Sequence, residues 1–349
     1  KPFIGDFFSL DAMSEQARKK RFTAEERSVL VEALADQNQG LQLSDVSRAN
    51  IEALSDSKTV TITTGHQLNL LTGPLYSIYK VAQVISLSRA MNERDSSFKY
   101  VPVFWMATED HDFEEINHIH LFGNKIAWEK TGQESYIVGE IEPTGINSFT
   151  DQILEKYQDE SMREILSEFL DVYAKGKSLA QATRTIMNRL FGPYGLVIID
   201  GNDAKLKSAF APVVRKEIQE SFSVEAVESA NEALAEAGYH QQVFVRNCNL
   251  FYIHPDNRRE RGALENGIYS IGETNCTAEE LLDRLEKNPA SFSPNALLRP
   301  VYQETVLPNV AYIGGGGEIA YWTQIKGVFE KLDLDFPLLR VRDSLILLK

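Results

Sequence analysis

The feature that most constrains the fold is a strand–loop–helix–strand pattern in the first third of the chain. Residues 59–63 are Thr-Val-Thr-Ile-Thr, a β-branched run that favours a strand. A loop at 64–73 follows, and Pro74 suits the first turn of a helix, where its missing N–H is not needed. Apolar residues then recur at helical spacing, and the next strand, 101–107, is apolar on both faces, as an inner parallel strand is. The pattern predicts a right-handed βαβ unit.

Strand and helix patterns continue to alternate along the rest of the chain. Further strands of the main sheet are predicted at 195–200, 309–313 and 336–339. Helices are predicted at about 44–54, 203–221, 224–237 and 277–287, with two or three more within 148–190. Because apolar inner strands alternate with helices, we predict an α/β fold built on a Rossmann-like parallel sheet.

Two stretches predict insertions into this sheet. Short, turn-separated strands at 119–122, 125–128 and 136–138 indicate a small antiparallel unit, and 243–245 with 250–253 indicate a hairpin. The predicted division of the chain is an N-terminal helical segment (1–57), the first half of the core (58–118), an insertion (119–190) and the second half of the core (191–349), with a further insertion at about 224–290.

Composition excludes several classes of protein. The formal net charge of −14 disfavours binding to a nucleic-acid backbone. The two cysteines, Cys248 and Cys276, are too few for a secreted disulfide framework, and we expect both to be structural. No run approaches the roughly 18 apolar residues of a membrane span, so we expect a cytoplasmic protein without a membrane partner. The short basic runs 18–21 and 258–259 are expected to be solvated surface.

The first motif that could carry chemistry is Thr64-Gly65-His66-Gln67, at the end of the first predicted strand. Parallel sheets bind ligands at the carboxyl ends of their strands. The helix that begins near Pro74 also directs free N–H groups toward this loop, so a phosphate would be stabilised there. The structural alternative is a turn with a hydrogen-bonded histidine.

The second motif is denser, with seven acidic or imidazole side chains in the ten positions 109–118, directly after the second strand. At a strand's carboxyl end these groups could hold Mg²⁺, orient an amine or act as a general base. His111, His118 and His120 also permit a zinc site, which is less favoured because no thiolate supports it. The structural alternative is a helix N-cap followed by a solvated acidic turn.

The third motif begins at Asn309, where an apolar strand leads into four glycines, Gly314–Gly317, and then a helix predicted at 319–329. Consecutive glycines let a backbone approach a ligand closely and offer N–H donors to an anion. Neither the Walker spacing nor the dinucleotide spacing is present, and a tight turn is the structural alternative. Side chains that could reach the same cleft are Tyr76, Tyr79, Lys80, Asn295 and Arg299.

Together these segments resemble the bacillithiol-synthesis cysteine-adding enzymes, a family of cysteine ligases. The resembling stretches, in chain order, are TGHQLNLLTGPLYSIYK (64–80), VPVFWMATEDHDFEEINH (101–118), FSPNALLRP (292–300) and LPNVAYIGGGGEIAYW (307–322). The resemblance implies an enzyme that joins L-cysteine to glucosaminyl-malate by amide formation, the last step of bacillithiol biosynthesis. It also implies a core similar to that of class I aminoacyl-tRNA synthetases with connecting-peptide insertions, and a homodimer formed through a coiled coil.

The resemblance and the motifs together give the predicted site. We expect catalytic roles for His66, Gln67, Glu109, Asp110, His111 and Asp112. Substrate- or nucleotide-binding roles are expected for Gly65, Tyr76, Lys80, Asn117, His118, Asn309, Gly315, Gly316 and Glu318. ATP or another nucleotide is the suspected cofactor, with Mg²⁺ as a candidate metal and zinc disfavoured.

The chain departs from the family pattern in three ways. The family often has glutamine where this chain has His66, and the lysine-rich loop of the synthetases has no clear match. The sequence stops at Lys349, where the coiled coil would be expected, so the coiled coil is expected to be absent and the homodimer prediction is weaker. The alternatives to a ligase are a nucleotidyltransferase on the same core and a non-catalytic subunit that binds a nucleotide or thiol.

Overall fold

The computed structural model describes residues 3–130 and 136–345. The end of the chain at Lys349, where the coiled coil would be expected, lies outside the described residues. The strands are β1 (Thr59–His66), β2 (Lys99–Met106), β3 (His118–Leu121), β4 (Asn124–Ala127), β5 (Val197–Asp200), β6 (Leu250–Ile253), β7 (Arg259–Glu265), β8 (Ile268–Ile271), β9 (Thr274–Cys276), β10 (Phe292–Pro294), β11 (Asn309–Gly314) and β12 (Leu338–Val341).

The helices alternate with these strands along most of the chain. They are α1 (Leu10–Lys19), α2 (Ala24–Gln37), α3 (Asp45–Ala53), α4 (Leu75–Arg94), α5 (Phe113–Ile116), α6 (Asn147–Leu154), α7 (Glu160–Lys175), α8 (Leu179–Phe191), α9 (Ala204–Glu220), α10 (Phe222–Glu236), α11 (Ala278–Lys287), α12 (Arg299–Val306), α13 (Gly316–Trp322) and α14 (Lys326–Lys331). The predicted helices at 44–54, 203–221, 224–237 and 277–287 are confirmed, as are three helices within 148–190.

The main sheet has five parallel strands in the order β12-β11-β1-β2-β5. Chain order runs outward from β1 through β2 to β5, and then returns to the other side of β1 for β11 and β12. This is the Rossmann-like arrangement that the sequence predicted, with its topological switch between β1 and β11. Register aligns His66 with Met106 and Met106 with Asp200, so the carboxyl ends of the strands lie along one edge.

Both faces of the sheet are covered, as the apolar inner strands predicted. Along β2, Tyr100, Phe104 and Met106 belong to one buried cluster, and Val101, Val103 and Trp105 belong to the other. Successive side chains of a strand point to opposite faces, so a strand covered on both sides is typically apolar along most of its length. Burial therefore places β2 at the centre of the fold.

A second sheet, antiparallel, has the order β10-β6-β7-β8-β9. The predicted hairpin of 243–245 with 250–253 is wrong, because β6 pairs instead with β7. The Gln324 side chain takes the backbone bonds of Val243, whose N–H donates to Oε1 at 3.0 Å and whose carbonyl accepts from Nε2 at 2.9 Å. The Gln324 side chain thus makes the two hydrogen bonds to Val243 that a neighbouring strand would otherwise make.

Two other local predictions are also corrected. The strand predicted at 136–138 is a single bridge from Tyr136 to Arg258 followed by a 3₁₀ turn at Val138–Glu140. The single helix predicted at 319–329 is two helices, α13 and α14, separated at 323–325. The first of them begins at Gly316 with Gly315 as its N-cap, so Gly316 and Gly317 belong to the helix. Gly314 is the last residue of β11. The predicted domain boundaries stay predictions.

Across residues 3–130 and 136–345, no helix has the length and apolar character needed to cross a membrane.

Candidate active site

The carboxyl edge of the parallel sheet carries two cavities. The first, here called the arginine cavity, has a volume of about 450 Å³. Residues 105–111, at the end of β2, form one wall, and Phe251 and Pro294 of the second sheet form another. Its charged lining is Glu109, Asp110, His111, Arg246, Arg259, Arg261 and Arg299.

The second cavity, here called the histidine cavity, lies at the end of β1 and measures about 490 Å³. It is lined by the loop after β1, the first turn of α4 and the start of β3. The polar and aromatic side chains in its wall are His66, Gln67, Asn69, Tyr76, Glu115, His118 and His120. Two of the three predicted motifs therefore line cavities at the edge that parallel-sheet topology predicts.

Gln67 joins the two cavities. Its Nε2 donates to Asp110 Oδ2 at 2.7 Å and to Glu115 Oε2 at 2.8 Å. The other Asp110 oxygen accepts the His111 backbone N–H at 2.8 Å. The Asp110 carboxylate is thus oriented by an amide and a backbone N–H, and among the described residues it forms no ion pair with a lysine or arginine.

The turn that carries Asp110 is held by a short segment of the insertion. Val138 N–H donates to the Asp110 carbonyl at 2.7 Å, and Gly139 N–H donates to the Thr108 carbonyl at 2.9 Å. A side chain at Gly139 would place Cβ only 2.7 Å from Thr108 Cβ, so this close approach requires glycine. The insertion therefore fixes the geometry of the acidic motif.

Glu109 differs from its neighbour because its charge is already paired. The carboxylate lies 2.9 Å from the ammonium group of Lys207, and both side chains are almost fully buried. Lys207 also donates to Asn202 Oδ1 and to the Ala290 carbonyl. An ion pair of this kind orients the carboxylate and occupies one of its oxygens.

His111 is fixed in one tautomer by Arg259. The Arg259 Nη1 N–H donates to His111 Nδ1 at 3.0 Å. Because a guanidinium group can only donate, Nδ1 must be unprotonated, and the ring proton lies on Nε2. Burial, and next the charge of Arg259, lower the pKa of His111. The neutral imidazole with an Nε2–H is therefore the form present at neutral pH.

Two further residues of this segment, Asp112 and Asn117, have structural positions at the ends of α5. Asp112 is exposed and caps α5, where its Oδ1 accepts the Glu115 backbone N–H at 3.1 Å. It lines neither cavity, so the N-cap alternative describes this residue. Asn117 ends α5, and its Oδ1 lies 3.2 Å from His118 Nδ1. His118 itself lines the histidine cavity.

His66 stands at the inner end of the histidine cavity with its ring edge-on to Tyr76, 5.5 Å between centroids. Burial, and next the charge of Lys80, lower the pKa of His66 to about 4. Its Nε2 is buried and has no hydrogen-bond partner among the described residues. Buried polar atoms are rarely unpaired in folded proteins, so this nitrogen is a candidate ligand contact.

Lys80 connects the first motif to the third. Its ammonium group, 1% exposed, donates to the Gly65 carbonyl at 2.6 Å and to Glu318 Oε1 at 2.7 Å. Tyr312 O–H donates to the other Glu318 oxygen at 2.7 Å. These bonds lie at the topological switch between β1 and β11. Lys80 and Glu318 therefore bond to groups of the protein itself, and neither side chain lines either cavity. They support the ends of the strands that carry the site.

The glycine motif and Asn309 lie away from both cavities. Gly315 and Gly316 line neither of them. Asn309 is fully buried at the amino end of β11, where its Oδ1 accepts from Thr63 at 2.8 Å and its Nδ2 donates to Glu304 at 2.7 Å. The structure thus gives Asn309 a position in the core, at the end of the strand opposite the candidate site.

Comparison with known proteins identifies the family. The family model described as "Bacillithiol biosynthesis BshC, N-terminal Rossmann-like domain" matches residues 1–343. This chain belongs to the BshC family.

Curated relatives in this family carry the printed name "Putative cysteine ligase BshC". The relative from Flavobacterium johnsoniae is 43% identical over 352 residues, which cover 99% of this chain and 66% of that protein. The relative from Flavobacterium psychrophilum is 41% identical, over 98% of this chain and 65% of that protein. The relative from Christiangramia forsetii is 40% identical, over 95% and 62%. The chain therefore spans slightly less than two thirds of the length of these BshC relatives.

Sequence reasoning missed Arg246, Arg259 and Arg261 of this BshC chain, whereas Arg299 and Asn295, which were expected to reach the cleft, do line the arginine cavity. The basic run 258–259 was expected to be surface, which holds for Arg258 and is wrong for Arg259, only 8% exposed. Arg259 and Arg261 alternate along β7, and residues two apart share a face of a strand, so this spacing was the available signal. The run 18–21 is corrected similarly, because the Lys20 side chain is buried 3.8 Å from Glu304.

Within the described part of the chain, no three His, Cys, Asp or Glu side chains are grouped so that they could hold a metal ion. Cys248 and Cys276 are both buried, and burial raises the pKa of Cys248 to about 11. A thiol with so high a pKa is a poor nucleophile.

Proposed function

We propose that this chain forms the catalytic core of a ligase that joins L-cysteine to glucosaminyl-malate by amide formation, the last step of bacillithiol biosynthesis. The observation that supports it most is the pair Asp110 and His111 in the arginine cavity. A proton acceptor and a neutral N–H donor stand side by side there, at the carboxyl end of a central parallel strand. The two substrates are those that the family resemblance implies, and the relatives' printed name, cysteine ligase, supports the first of them.

Amide formation needs a neutral amine and an activated carboxyl carbon. The glucosamine nitrogen attacks that carbon, the C–N bond forms, and the leaving group departs with the electrons of its C–O bond. Asp110 accepts the proton that the amine loses, a step that general bases in enzymes commonly accelerate by about 10²–10⁴-fold. His111 donates its Nε2–H to the oxygen on which negative charge develops. Glu109, held by Lys207, contributes fixed negative charge near the amine.

A nucleotide fits the histidine cavity by its donor chemistry. His66 Nε2 is a buried polar atom without a partner, and the 20-residue helix α4 begins in the cavity wall. A phosphate oxygen is stabilised at such a helix N-terminus, and a neutral His66 can donate one N–H to it. When bound, ATP would supply the energy that activates the cysteine carboxyl. Gln67, which lines the histidine cavity and donates to Asp110 of the arginine cavity, would couple the two halves of the reaction.

The proposal also includes a synthetase-like core, a cytoplasmic location and a homodimer of the full-length protein. The order of the five strands, with its switch between β1 and β11, supports the first of these. The other two follow from the family resemblance.

The test uses the full-length protein with L-cysteine, ATP and glucosaminyl-malate, and mass spectrometry of the product. We expect bacillithiol in the complete mixture and none when one substrate is omitted. The variant Asp110→Asn with His111→Ala should form at least about 100-fold less product. Equal product from this variant would remove both residues from the mechanism. Pyrophosphate release that needs no cysteine would indicate a nucleotidyltransferase instead.

A further inference from the structure

The rim of the arginine cavity holds two arginines whose charge is not neutralised by a carboxylate. Among the residues that the structure describes, Arg246 and Arg261 form no ion pair, although both line the cavity. By contrast, the nearby Arg258 pairs with Asp256 at 2.7 Å and with Glu260 at 3.1 Å. In a chain with a formal net charge of −14, two adjacent unpaired arginines require an explanation.

The other two arginines of the cavity are held by protein partners. Arg259 donates to Ser293 and to the Pro294 carbonyl as well as to His111. Arg299 donates to Gln303 at 3.1 Å and to the Tyr321 hydroxyl at 3.2 Å. Both therefore add positive potential to the cavity, while Arg246 and Arg261 keep side-chain donors for a ligand.

The two unpaired arginines are positioned by rigid parts of the fold. Arg261 is paired with Phe251 across β6 and β7, and its guanidinium carbon lies 5.0 Å from the ring centroid. Arg246 is held through its backbone, whose N–H donates to Asn249 Oδ1 at 3.3 Å and whose carbonyl accepts from Asn249 Nδ2 at 2.9 Å. Asn249 is fully buried, so this clamp is part of the core.

The two like charges are also close enough to influence each other. Burial, and next the positive charge of Arg246, lower the pKa of Arg261. A bound anion would remove this repulsion. The planar fork of a guanidinium group matches a carboxylate or a phosphate with two parallel hydrogen bonds.

We propose that Arg246 and Arg261 form a subsite for a dicarboxylate, with one carboxylate on each guanidinium group. Two carboxylates suit this place better than a phosphate chain, because the lining contains none of the four glycines at 314–317 whose backbone N–H groups would suit phosphate. The subsite rests on the proposed function only for the identity of the ligand, which would be the malyl group of the acceptor. It would hold the acceptor with its amine directed toward Asp110.

Binding of L-malate to the full-length protein tests this subsite without requiring catalysis. In isothermal titration calorimetry at low ionic strength, we expect Arg246→Gln and Arg261→Gln each to weaken L-malate affinity by about tenfold, and the double variant to weaken it further. Arg261→Lys keeps the charge and loses the fork, so an intermediate loss is expected. Thermal denaturation of each variant establishes that it folds.

The matched control is Arg258→Gln, which removes an arginine from the same strand region outside the cavity lining and should leave L-malate affinity unchanged. Equal affinity in the wild type and the double variant would overturn the subsite, as would an absence of L-malate binding to the wild type. Binding of inorganic phosphate or acetate as tight as that of L-malate would overturn the assignment to a dicarboxylate.

The same proteins separate the subsite from the proposed function. Bacillithiol formation at the wild-type rate by the double variant would overturn the subsite and leave the ligase proposal standing. L-Malate binding that depends on both arginines, in a protein that forms no bacillithiol, would support the subsite and contradict the ligase.

Discussion

The two cavities have similar volumes and differ in where their charged groups originate. The histidine cavity is built from neighbouring stretches of sequence, 66–76 and 115–120. The arginine cavity joins the end of β2 to groups from β7 and α12, and the contacting pair His111 and Arg259 is 148 positions apart in the chain. In the histidine cavity, the buried Nε2 of His66 has no partner among the described residues. In the arginine cavity, the long-range contact from Arg259 fixes the tautomer of His111.

Each cavity is also supported by a buried lysine. Lys207 pairs with Glu109, a residue of the arginine cavity lining, and the Glu109 side chain is 12% exposed. Lys80 pairs with Glu318, whose side chain does not line the histidine cavity and is 31% exposed. Both ion pairs join distant parts of the chain, and the more deeply buried carboxylate, Glu109, is the more costly one to leave unpaired.

The largest expected effect is on stability when the buried pair of the arginine cavity is broken. Lys207→Met leaves the Glu109 carboxylate buried and unpaired, so we expect a loss of about 3–5 kcal/mol in the free energy of unfolding. Urea denaturation of the wild type and the variant measures this difference in the free energy of unfolding. The control Lys205→Met removes a half-exposed lysine from the same helix, which pairs with Asp36, and should cost far less because solvent screens an exposed ion pair. Similar losses for both variants would contradict the role of burial.

The second prediction concerns the pH dependence of stability at the histidine cavity. Unfolded histidine takes up a proton below its ordinary pKa of 6.5, whereas folded His66 stays neutral until about pH 4, owing first to burial and then to Lys80. The unfolded state therefore binds more protons between these values, and stability falls as pH decreases through that range. The effect, up to about 3 kcal/mol, should be absent in His66→Gln.

Urea denaturation of the wild type and His66→Gln at several pH values between 4 and 7 measures this difference, because the other titrating groups are common to both proteins. The two stability curves should converge or cross toward low pH. Parallel curves would show that His66 is not buried in its neutral form.

The third prediction tests the tautomer of His111. Arg259→Met removes the donor to Nδ1, so we expect product formation to fall by about 10–100-fold. Loss of the Arg259 charge should also raise the pKa of His111, and the acidic limb of the pH–rate profile should move to higher pH. The groups that influence His111 are Arg259, Arg261, Asp110 and Asp112.

Arg259→Lys should restore part of the rate, because the ammonium group can donate one hydrogen bond to Nδ1. A uniform loss at all pH values, with no movement of the acidic limb, would indicate that Arg259 only supports the fold. Thermal denaturation of both variants separates lost stability from lost rate.

The smallest expected effect is that of replacing Asp112, which lines neither cavity. Asp112→Ala removes the N-cap of α5 and should cost about 1 kcal/mol or less, with product formation close to that of the wild type. Asp112→Asn retains a capping oxygen and should be nearly neutral. A large loss of activity in Asp112→Ala with unchanged stability would show that Asp112 has a catalytic role after all.

Much of the fold could be predicted because its patterns are local. The β-branched run of β1, the apolar run of β2 and the glycines after β11 indicate strands and turns without reference to the rest of the chain. Local patterns failed where a distant side chain intervened, as at Val243, whose backbone bonds with Gln324 instead of a neighbouring strand. The helix after the glycines was also predicted as one piece, although it is broken at 323–325.

The sequence by itself determined the parallel sheet, the edge at which ligands bind, and two motifs at that edge, because strand direction and side-chain alternation follow from short-range rules. Only the tertiary structure decided which acids are free. It paired Glu109 with Lys207, left Asp110 with an amide, and set Asp112 as a cap. It also placed Arg259, one residue of a basic run expected at the surface, in the wall of a cavity. The physical reason is that ionisation and tautomer depend on burial and on charges that reach the site from remote parts of the chain.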